Sequence, residues 1–428
     1  MSDAPSTTII RGGRVIDPAN GVDEVRDVFL RDGRFVADAG EGSTSPEIID
    51  ASGLVVAPGL IDLHVHLREP GQSAKETIES GARAAAAGGF TSVVCMPNTS
   101  PAADSPATVA WIKERAQKAC VNVFPTGAIT KGLAGEELAP IGSLAAAGVV
   151  ALTDDGHCVQ NHELMRRALE YARMFGLPVF DHCQDYSLVG DGVMNEGYWS
   201  TVLGLPGWPA AGEELVVMRN VLLAELCRTP VHCQHLSSAG SVRILREARA
   251  RGVLISGEVC PHHLALTDEA VCGFDTRFKM NPPLRTQADI EALVGGIADG
   301  TITVLASDHA PHTAVEKEVE FDRAPFGILG LETEFGLFHH LLVHRLGAIS
   351  LPRLVELLTV NPARLLKLDR GTLSVGAPAD VTLLNPDLEW AVRPEESFSR
   401  SRNTPFGGWQ LKGRAVRTIV DGRTVWQL

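Results

Sequence analysis

The sequence lacks any run of about 18–20 uncharged apolar residues, the length that an α-helix needs to cross a membrane. Its N-terminus also lacks the basic segment and apolar core of a secretory signal. No two of the eight cysteines are spaced as Cys-x-x-Cys, so the sequence favours free, buried thiols over a disulfide framework. From these absences we expect a cytoplasmic protein.

Positive charge is also scarce, with 38 lysines and arginines against 52 aspartates and glutamates and a net charge of -14. Binding to nucleic acid or to an anionic membrane needs clustered cations, so neither is an expected partner. A small anionic substrate is not excluded, because it responds to the local field of its site. The 428 residues are 45% hydrophobic, which is enough to bury a large core and excludes general disorder.

One pattern recurs through the middle of the chain: a short β-branched segment, a polar cluster and an Ala/Leu-rich helical stretch. The eight predicted strands are residues 60–67, 91–98, 121–129, 149–156, 178–184, 230–237, 254–263 and 302–309. The clearest predicted helices are residues 76–87, 163–175, 213–227 and 241–250. Eight such alternations predict an α/β fold, a (β/α)8 TIM-type barrel, rather than an open sheet.

The two ends of the chain differ from the middle. Both consist of short β-like runs broken by Asp-Gly and Gly-Arg turns. We therefore predict a small β-rich domain formed by both termini, residues 1–57 and 366–428. The barrel domain, residues 58–365, is inserted between them.

The ends of the predicted strands carry mostly histidines and carboxylates. The strand ends of such a barrel open onto the active site. His64 and His66 are two residues apart on a strand, so both face the same side and can bind one ion together. Imidazole and carboxylate ligands without thiolate suit Zn²⁺, with Mn²⁺, Co²⁺ and Ni²⁺ as alternatives. The strand-end residues are His64, His66, Asn98, Asp154, Asp155, His182, His232, His235, His262, His263, Asp308, His309 and His312.

Other histidines have simpler interpretations. His232 is three residues before His235 and faces the opposite side of the strand, which favours His235 as the ligand and a structural role for His232. A cluster in a late helical stretch is interpreted as packing or surface, and two histidines lie in a loop-to-helix segment. These are His339, His340 and His344, and His157 and His162.

Five motifs resemble those of the dihydroorotases of the amidohydrolase superfamily, in the long bacterial class that keeps the small β domain. They are GLIDLHVHLREPG (59–71), CMPN (95–98), TDDG (153–156), KMNPPLR (279–285) and SDHAPH (307–312). The resemblance covers nearly the whole chain, and NPA (361–363), GTL (371–373) and GAPAD (376–380) are similar to the superfamily's exit from the barrel. It implies an enzyme that reversibly cyclises N-carbamoyl-L-aspartate to (S)-dihydroorotate in de novo pyrimidine (UMP) biosynthesis.

The resemblance also implies roles for individual residues. A metal-bound hydroxide attacks the ring amide, with Asp308 as the general acid/base. One metal is held by His64, His66 and Asp308, a second by His182 and His235, and Asp155 bridges the two. The substrate carboxylate is bound by Arg68, Asn98 and His312, with His66 at its border. Asn281 and the backbone of Phe326 and Gly327 contact the ring or the carbamoyl group.

The sequence departs from many relatives at the fourth strand, where they carry a carboxylated lysine that bridges two metals. Here the strand reads VVALTDDG, without lysine. An aspartate must then bridge, or only one metal binds tightly, so we expect one or two Zn²⁺ per chain. Strand parity alone leaves Asp154 and Asp155 both open, and the match to the TDDG motif favours Asp155.

Two alternatives compete with this interpretation. One is another cyclic amidase, such as an allantoinase or hydantoinase, against which the absent lysine and the presence of Arg68 and Asn98 speak. The other is a non-catalytic scaffold for aspartate carbamoyltransferase, although every ligand position that can be matched is filled. An active enzyme that assembles with that transcarbamoylase also stays open. We expect a homo-oligomer and a lid at residues 323–330.

Overall fold

The computed structural model describes residues 7–39 and 46–428. Its strands are β1 (Thr7–Asp17), β2 (Val22–Arg31), β3 (Arg34–Val36), β4 (Glu47–Asp50), β5 (Val55–Pro58), β6 (Leu60–Val65), β7 (Phe90–Cys95), β8 (Asn122–Pro125), β9 (Val179–Asp181), β10 (Met194–Asn195), β11 (Gly207–Trp208), β12 (Val231–Cys233), β13 (Ile255–Val259), β14 (Val304–Leu305), β15 (Val381–Ala391), β16 (Gln410–Val420) and β17 (Arg423–Gln427).

The helices lie mainly between the parallel strands. They are α1 (Ile78–Gly88), α2 (Pro106–Ala116), α3 (Ile141–Ala147), α4 (His162–Met174), α5 (Tyr186–Val189), α6 (Tyr198–Leu203), α7 (Ala211–Cys227), α8 (Ala239–Ala250), α9 (His262–Ala265), α10 (Gln287–Ala298), α11 (Ala314–Lys317), α12 (Glu334–Phe338), α13 (Leu351–Leu358) and α14 (Val360–Leu366). Short 3₁₀ turns cover Lys131–Leu133, Asp268–Gly273, Thr276–Phe278 and Pro394–Glu396, and a π-helical segment covers His339–Arg345.

Both ends of the chain contribute strands to one sheet. Its order is β17-β16-β15-β5-β1-β2-β3, with β4 beside β1. The N- and C-terminal parts meet where β5 pairs antiparallel with β15, with Val56 opposite Leu383. One face of this sheet buries its own core, which includes Ile10, Val15, Phe35, Val56, Val381 and Ile419. Residues 1–6 and 40–45 of the predicted N-terminal part, 1–57, lie outside the described residues.

The strands of the middle region are all parallel where they pair in sequence order. β6, β7 and β8 form one sheet, and β9, β12, β13 and β14 form another. Leu152 bridges Gly127, just beyond β8, to Val179 of β9, and Val65 of β6 bridges to His309 beyond β14. Parallel pairing therefore passes through all eight predicted strand segments. The fourth segment, predicted as residues 149–156, contributes only the isolated bridges of Leu152.

The observed strands are shorter than the predicted ones because their carboxyl ends turn out of the sheet into polar loops. The helices match more closely. For example, α1 begins after the cap Thr77, whose side chain accepts from the Ser80 amide, and ends at Gly89 with φ 94°. In the late helical stretch, His339 is buried and its ring Nδ1 lies 2.8 Å from the Lys412 carbonyl oxygen, which agrees with the packing role predicted for this cluster.

The cysteines fit the prediction of free thiols. All eight lie in the described ranges, all are free, and six of them are buried. No helix in the described part of the chain has the length and apolarity that crossing a membrane would require.

Candidate active site

A cavity of about 310 Å³ lies at the carboxyl ends of the parallel strands. Eleven of the twelve residues predicted for the site line it: His66, Arg68, Asn98, Asp155, His182, His235, Asn281, Asp308, His312, Phe326 and Gly327. The twelfth, His64, is fully buried and reaches the lining with its Nε2, which is 3.2 Å from Asp155 Oδ1. The structure thus brings together side chains from strand ends spread over more than 240 residues of sequence.

Four side chains at one end of the cavity have metal-ligand geometry. His64 Nε2 lies 3.2 Å from Asp155 and 3.5 Å from Asp308. His66 Nε2 lies 3.4 Å from Asp155 and 3.1 Å from Asp308. Ligand atoms at normal zinc bond lengths in a tetrahedral site lie about 3.4 Å from one another. His64, His66 and Asp308 have donor atoms within 4.8 Å of one another, as the ligands of one ion would, and so do His64, Asp155 and His235.

The remaining two histidines lie on the other side of Asp155. His182 Nδ1 and His235 Nε2 are 2.7 Å apart, and they lie 3.7 Å and 3.6 Å from Asp155 Oδ1. That oxygen is buried and has no hydrogen-bond partner among the described residues. Because a buried carboxylate oxygen without a partner is costly, the arrangement suits a cation between these groups. The donor set therefore fits one or two divalent metals.

The neighbouring aspartate, Asp154, points elsewhere. It accepts hydrogen bonds from the amides of Ile129 (2.8 Å) and Thr130 (3.0 Å) and from the Thr130 hydroxyl. Burial raises the pKa of Asp154 to about 6, against the effect of these bonds. Burial would raise the pKa of Asp155 as well, but the imidazoles of His64, His182 and His235 hold it well below its usual range. Asp155 is thus the carboxylate that faces the histidines.

Three site residues adopt a left-handed backbone conformation. Arg68 has φ 61°, His235 has φ 32° and Asp308 has φ 49°. Such conformations cost roughly 1–3 kcal/mol each in residues other than glycine and cluster at functional sites. Here they redirect the chain where strands end, so that the side chains point into the cavity.

Glu258 is the main functional residue that the sequence analysis missed. It is fully buried, and its Oε1 lies 2.6 Å from His64 Nδ1 while its Oε2 lies 3.0 Å from His232 Nε2. Burial opposes ionisation, but His64 and His232 lower the pKa of Glu258 to about 2. The ionised carboxylate fixes the tautomer of His64 and leaves Nε2 free for a metal. The signal available was a charged residue within a predicted apolar strand.

We expect Glu258→Gln to weaken metal binding about 10–100-fold, because the residue that orients a ligating imidazole is lost. Competition with a chromogenic chelator measures this change. Glu334→Gln is a matched control, because Glu334 is also fully buried and burial holds its pKa well above the usual value, so that carboxyl is already neutral. Equal losses in both variants would contradict a specific role for Glu258.

The second ring nitrogens of His66 and His182 are also hydrogen-bonded. Asn98 Oδ1 accepts from His66 Nδ1 at 2.9 Å, and Gln184 Oε1 lies 2.9 Å from His182 Nε2. Gln184, which the sequence analysis missed, also accepts from Asn281 Nδ2 at 2.9 Å. Each of these contacts leaves the metal-facing nitrogen free.

Arg68 and His312 form a part of the cavity wall that can bind an anion. Arg68 is buried, and its Nε donates to the Pro311 carbonyl at 3.2 Å while Nη2 lies 3.4 Å from His312 Nε2. Burial lowers the pKa of Arg68 to about 10, which leaves it charged at neutral pH. His312 Nε2 also lies 2.8 Å from the Phe326 carbonyl, and His312 Nδ1 has no hydrogen-bond partner among the described residues and lies 3.8 Å from Glu316. The wall can bind a carboxylate.

Two lysines anchor the loop that closes this wall. Lys279 Nζ donates to the Asp322 carbonyl at 2.9 Å, and Lys317 Nζ donates to the Pro325 carbonyl at 2.7 Å. Burial lowers the pKa of Lys279 to about 8 and that of Lys317 to about 7. Next in the loop, Gly327 has φ 118°, and a Cβ there would lie 2.6 Å from Ala310 Cβ. Only glycine fits there without strain.

Two predicted strand-end histidines lie outside the cavity. His263 Nε2 is 2.9 Å from the Pro282 carbonyl, and burial lowers the pKa of His262 to about 4. Both are buried beside Cys260, and the three donors lie within 4.8 Å of one another. His309 is likewise held away from the cavity, because the Gly330 amide donates to its Nδ1 at 3.2 Å.

Comparison with known proteins places these features in a family. The model for "Dihydro-orotase-like" proteins matches residues 53–241, and that for the "Amidohydrolase family" matches residues 212–425. The chain is 55% identical over 423 residues to the dihydroorotase of Citrifermentans bemidjiense, which covers 98% of this chain and 99% of that protein. It is 55% identical over 420 residues to the dihydroorotase of Pelotomaculum thermopropionicum, covering 98% of each.

Solved structures of related enzymes superpose over nearly the whole chain. The dihydropyrimidinase of Brevibacillus agri has a TM-score of 0.86 at 25% identity, covering 98% of this chain and 95% of that one. The D-hydantoinase of Bacillus sp. AR9 has a TM-score of 0.85 at 26% identity with the same coverage.

Proposed function

Because the chain belongs to the dihydroorotase family of the amidohydrolases, we propose that its cavity catalyses the reversible cyclisation of N-carbamoyl-L-aspartate to (S)-dihydroorotate. The protein is accordingly a cyclic amide hydrolase of pyrimidine biosynthesis, as the sequence motifs predicted. The observation that carries the proposal is one cavity where four histidines and two aspartates lie together with the buried guanidinium of Arg68.

We further propose that the eight β/α segments close into a (β/α)8 barrel over residues 58–365. The β-rich domain then comprises residues 1–57 and 366–428. The bridges from Leu152 to its two neighbours and from Val65 to His309 support the closure, as does the likeness to amidohydrolase structures. A cytoplasmic location stays a prediction from the sequence.

The metal in this proposal is Zn²⁺, with one or two ions per chain. His64, His66 and Asp308 would hold the first ion, His182 and His235 the second, and Asp155 would contact both. The metal, when bound, activates water and polarises the amide carbonyl. The spacing of the donors and the unpartnered Asp155 oxygen support this assignment.

The chain's own residues bind the substrate and move a proton. In the hydrolytic direction the water oxygen bonds to the ring amide carbon and the carbon–nitrogen bond breaks. Asp308 takes one proton from water and passes it to the leaving nitrogen, which forms the ureido group. The carboxylic acid that results loses the second proton of water to solvent and becomes a carboxylate. Arg68, Asn98 and His312 hold the substrate carboxylate, with His66 at its border. Asn281 and the Phe326–Gly327 backbone contact the ring.

A second candidate is hydrolysis of a neutral cyclic amide, because hydantoinases are among the similar structures. The buried guanidinium of Arg68 argues against it, since a neutral ring offers no partner for that charge. Assays of the metal-loaded protein with dihydroorotate, allantoin and hydantoin test the choice. We expect turnover of dihydroorotate alone. Turnover of hydantoin without dihydroorotate would overturn the proposal.

The oligomeric state and any assembly with another protein are proposals as well. We propose a homo-oligomer, and an assembly with aspartate carbamoyltransferase stays open beside it. Activity of the metal-loaded chain by itself would rule out a scaffold-only role. Activity that rises on adding the purified transcarbamoylase would support the assembly.

Arg68→Met should raise the KM for dihydroorotate about 100-fold, since removing one partner of a buried charge pair costs roughly 2–5 kcal/mol. We expect kcat to change much less, because the carboxylate is remote from the amide that reacts. Dihydrouracil, which lacks the carboxylate, provides the control, and its kcat/KM should be nearly unchanged. A parallel loss with both substrates would show that Arg68 acts on the reaction centre instead.

A further inference from the structure

A second cluster of metal-ligand side chains lies outside the cavity, where β13 ends and α9 begins. It consists of Cys260, His262 and His263, whose exposed fractions are 0%, 1% and 2%. Their donor atoms, one thiol sulfur and two imidazole nitrogens, lie within 4.8 Å of one another. Within residues 7–39 and 46–428, no fourth histidine, cysteine, aspartate or glutamate joins the group. We call these three side chains the Cys260 triad.

A tight turn of the backbone brings the three donors together. The His263 amide donates to the Cys260 carbonyl at 3.1 Å, so residues 260–263 form one helical turn. Side chains three residues apart in such a turn are neighbours. The rings of His262 and His263 have their centres 4.3 Å apart and are tilted by 57°. The four residues Cys-Pro-His-His thus form the triad without a donor from any distant part of the chain.

Three of the four imidazole nitrogens in the triad have no hydrogen-bond partner in the described part of the chain. They are both nitrogens of His262 and Nδ1 of His263. A buried polar atom without a partner costs about 1–3 kcal/mol, and the large majority of such atoms in folded proteins are satisfied. Unpaired nitrogens that lie this close to a buried thiol therefore indicate a ligand that binds between them.

His263 is held in the way that a metal-ligating histidine usually is. Its Nε2 lies 2.9 Å from the Pro282 carbonyl oxygen, which can only accept, so Nε2 carries the proton and Nδ1 presents a lone pair. Ligating histidines commonly donate their other N–H to a carbonyl or a carboxylate. Burial lowers the pKa of both triad histidines, to about 4 for His262, so both rings are in the neutral form that binds metals.

We propose that the Cys260 triad is a binding site for one Cu⁺ ion, held by the Cys260 thiolate and the imidazoles of His262 and His263. A thiolate and imidazoles are ligands that suit soft ions such as Cu⁺. On binding, the Cu–S bond replaces the S–H bond and the thiol proton passes to solvent, with no change of oxidation state. The site is separate from the cavity, and it does not depend on which reaction the cavity catalyses.

Charge and ligand number favour Cu⁺ over Zn²⁺ at the triad. Cu⁺ with one thiolate and two neutral imidazoles is an uncharged complex, whereas Zn²⁺ would leave a positive charge buried. The nearest carboxylates, Glu258 and Asp308, already pair with the cavity histidines and do not compensate that charge. Structural zinc sites are almost always four-coordinate, whereas three ligands are ordinary for Cu⁺ and three are what the triad offers.

Competition for Cu⁺ between the zinc-loaded full chain and the chromogenic chelator bathocuproine disulfonate tests the proposal, in anaerobic buffer with ascorbate. We expect the wild type to take up one Cu⁺ per chain and to retain its zinc. Cys260→Ser should bind Cu⁺ about 100-fold more weakly or worse, since loss of even an outer-shell partner costs 10–100-fold. The donors are buried, so each mixture is followed until its absorbance is constant. A wild type that takes up no Cu⁺, or takes it up only in exchange for zinc, would overturn the proposal.

Cys183→Ser is the matched control, because Cys183 is another buried free thiol and follows His182 of the cavity. It should bind Cu⁺ like the wild type. X-ray absorption at the copper edge identifies the ligands in the wild type itself, whatever the stability of the variants, and we expect one sulfur and two nitrogens. Two sulfur ligands, or loss of binding in Cys183→Ser, would place the ion at another thiol and contradict the proposal. Loss of zinc in Cys260→Ser without loss of Cu⁺ binding would show that the triad holds zinc instead.

Discussion

Replacing Asp308 with asparagine is expected to lower kcat for dihydroorotate about 10³-fold or more, with a much smaller change in substrate binding. An amide of the same shape cannot accept a proton, and a positioned acid/base contributes about 10²–10⁴-fold to a rate. In the proposed mechanism Asp308 also holds a metal, so its loss affects both functions. No other single side chain in the cavity combines these two roles.

The surroundings of Asp308 hold it in the carboxylate form, which is the form that can accept a proton. Its Oδ1 lies 3.1 Å from His66 Nε2 and 3.5 Å from His64 Nε2. Burial opposes ionisation, but His64 and His66 hold the pKa of the carboxyl well below its usual range. The residue is therefore a carboxylate at neutral pH, ready to accept a proton. Its left-handed backbone, φ 49°, turns the side chain into the cavity.

The experiment measures kcat in both directions, metal content, and binding of dihydroorotate by calorimetry on the same preparation. Asp322→Asn is the matched control, because Asp322 carries an exposed carboxylate in the adjacent loop and should leave kcat unchanged. If Asp308→Asn retained its metal and lost less than about tenfold in kcat, another group would have to move the proton.

The histidines and aspartates at the strand ends were predictable from the sequence because the pattern that reveals them lies within a few neighbouring residues. His64 and His66 share a strand face, and the histidines and carboxylates recur where apolar segments end. The choice between Asp154 and Asp155 was not predictable from strand parity. It depends on the amides of Ile129 and Thr130, which lie 25 and 24 residues before Asp154 along the chain and donate hydrogen bonds to it.

Residues that orient the ligands were harder to find. The partners of Glu258, His64 and His232, lie on other strands, so no spacing in the sequence reveals its role. Gln184 lies only two residues after His182, but a glutamine at that position carries no signal by itself. Successive side chains of a regular β-strand alternate between its two faces, which is how the sequence predicts their direction. The left-handed backbone at His235 and Asp308 interrupts that alternation.

The fold was predictable to the level of β/α order but not of strand length. The predicted segment at residues 149–156 forms only the bridges of Leu152, because Asp154 and Asp155 leave the sheet to meet separate partners. The terminal sheet was more predictable, since its turns carry glycine at positions with positive φ, such as Gly33 and Gly422.

Asp155→Ala is expected to lose bound metal and activity, whereas Asp154→Ala is expected to lose stability of the fold. Loss of Asp155 removes the carboxylate between the two halves of the donor set, so bound metal should fall to at most one ion per chain. We expect kcat to fall about 100-fold or more with it, since loss of even an outer-shell partner typically costs 10–100-fold in activity. Asp155 Oδ1 accepts no backbone amide in the described part of the chain, so this variant leaves no backbone donor without an acceptor.

Asp154→Ala should instead destabilise the fold and keep the metal. It leaves the buried amides of Ile129 and Thr130 without an acceptor, at a cost of about 1–3 kcal/mol each. Thermal unfolding of the metal-free proteins and metal analysis of the loaded proteins separate the two effects. The reverse result, metal loss in Asp154→Ala and none in Asp155→Ala, would assign the bridging role to Asp154. Because both variants remove the same chemical group at adjacent positions, the difference between them reports only the direction in which each carboxylate points.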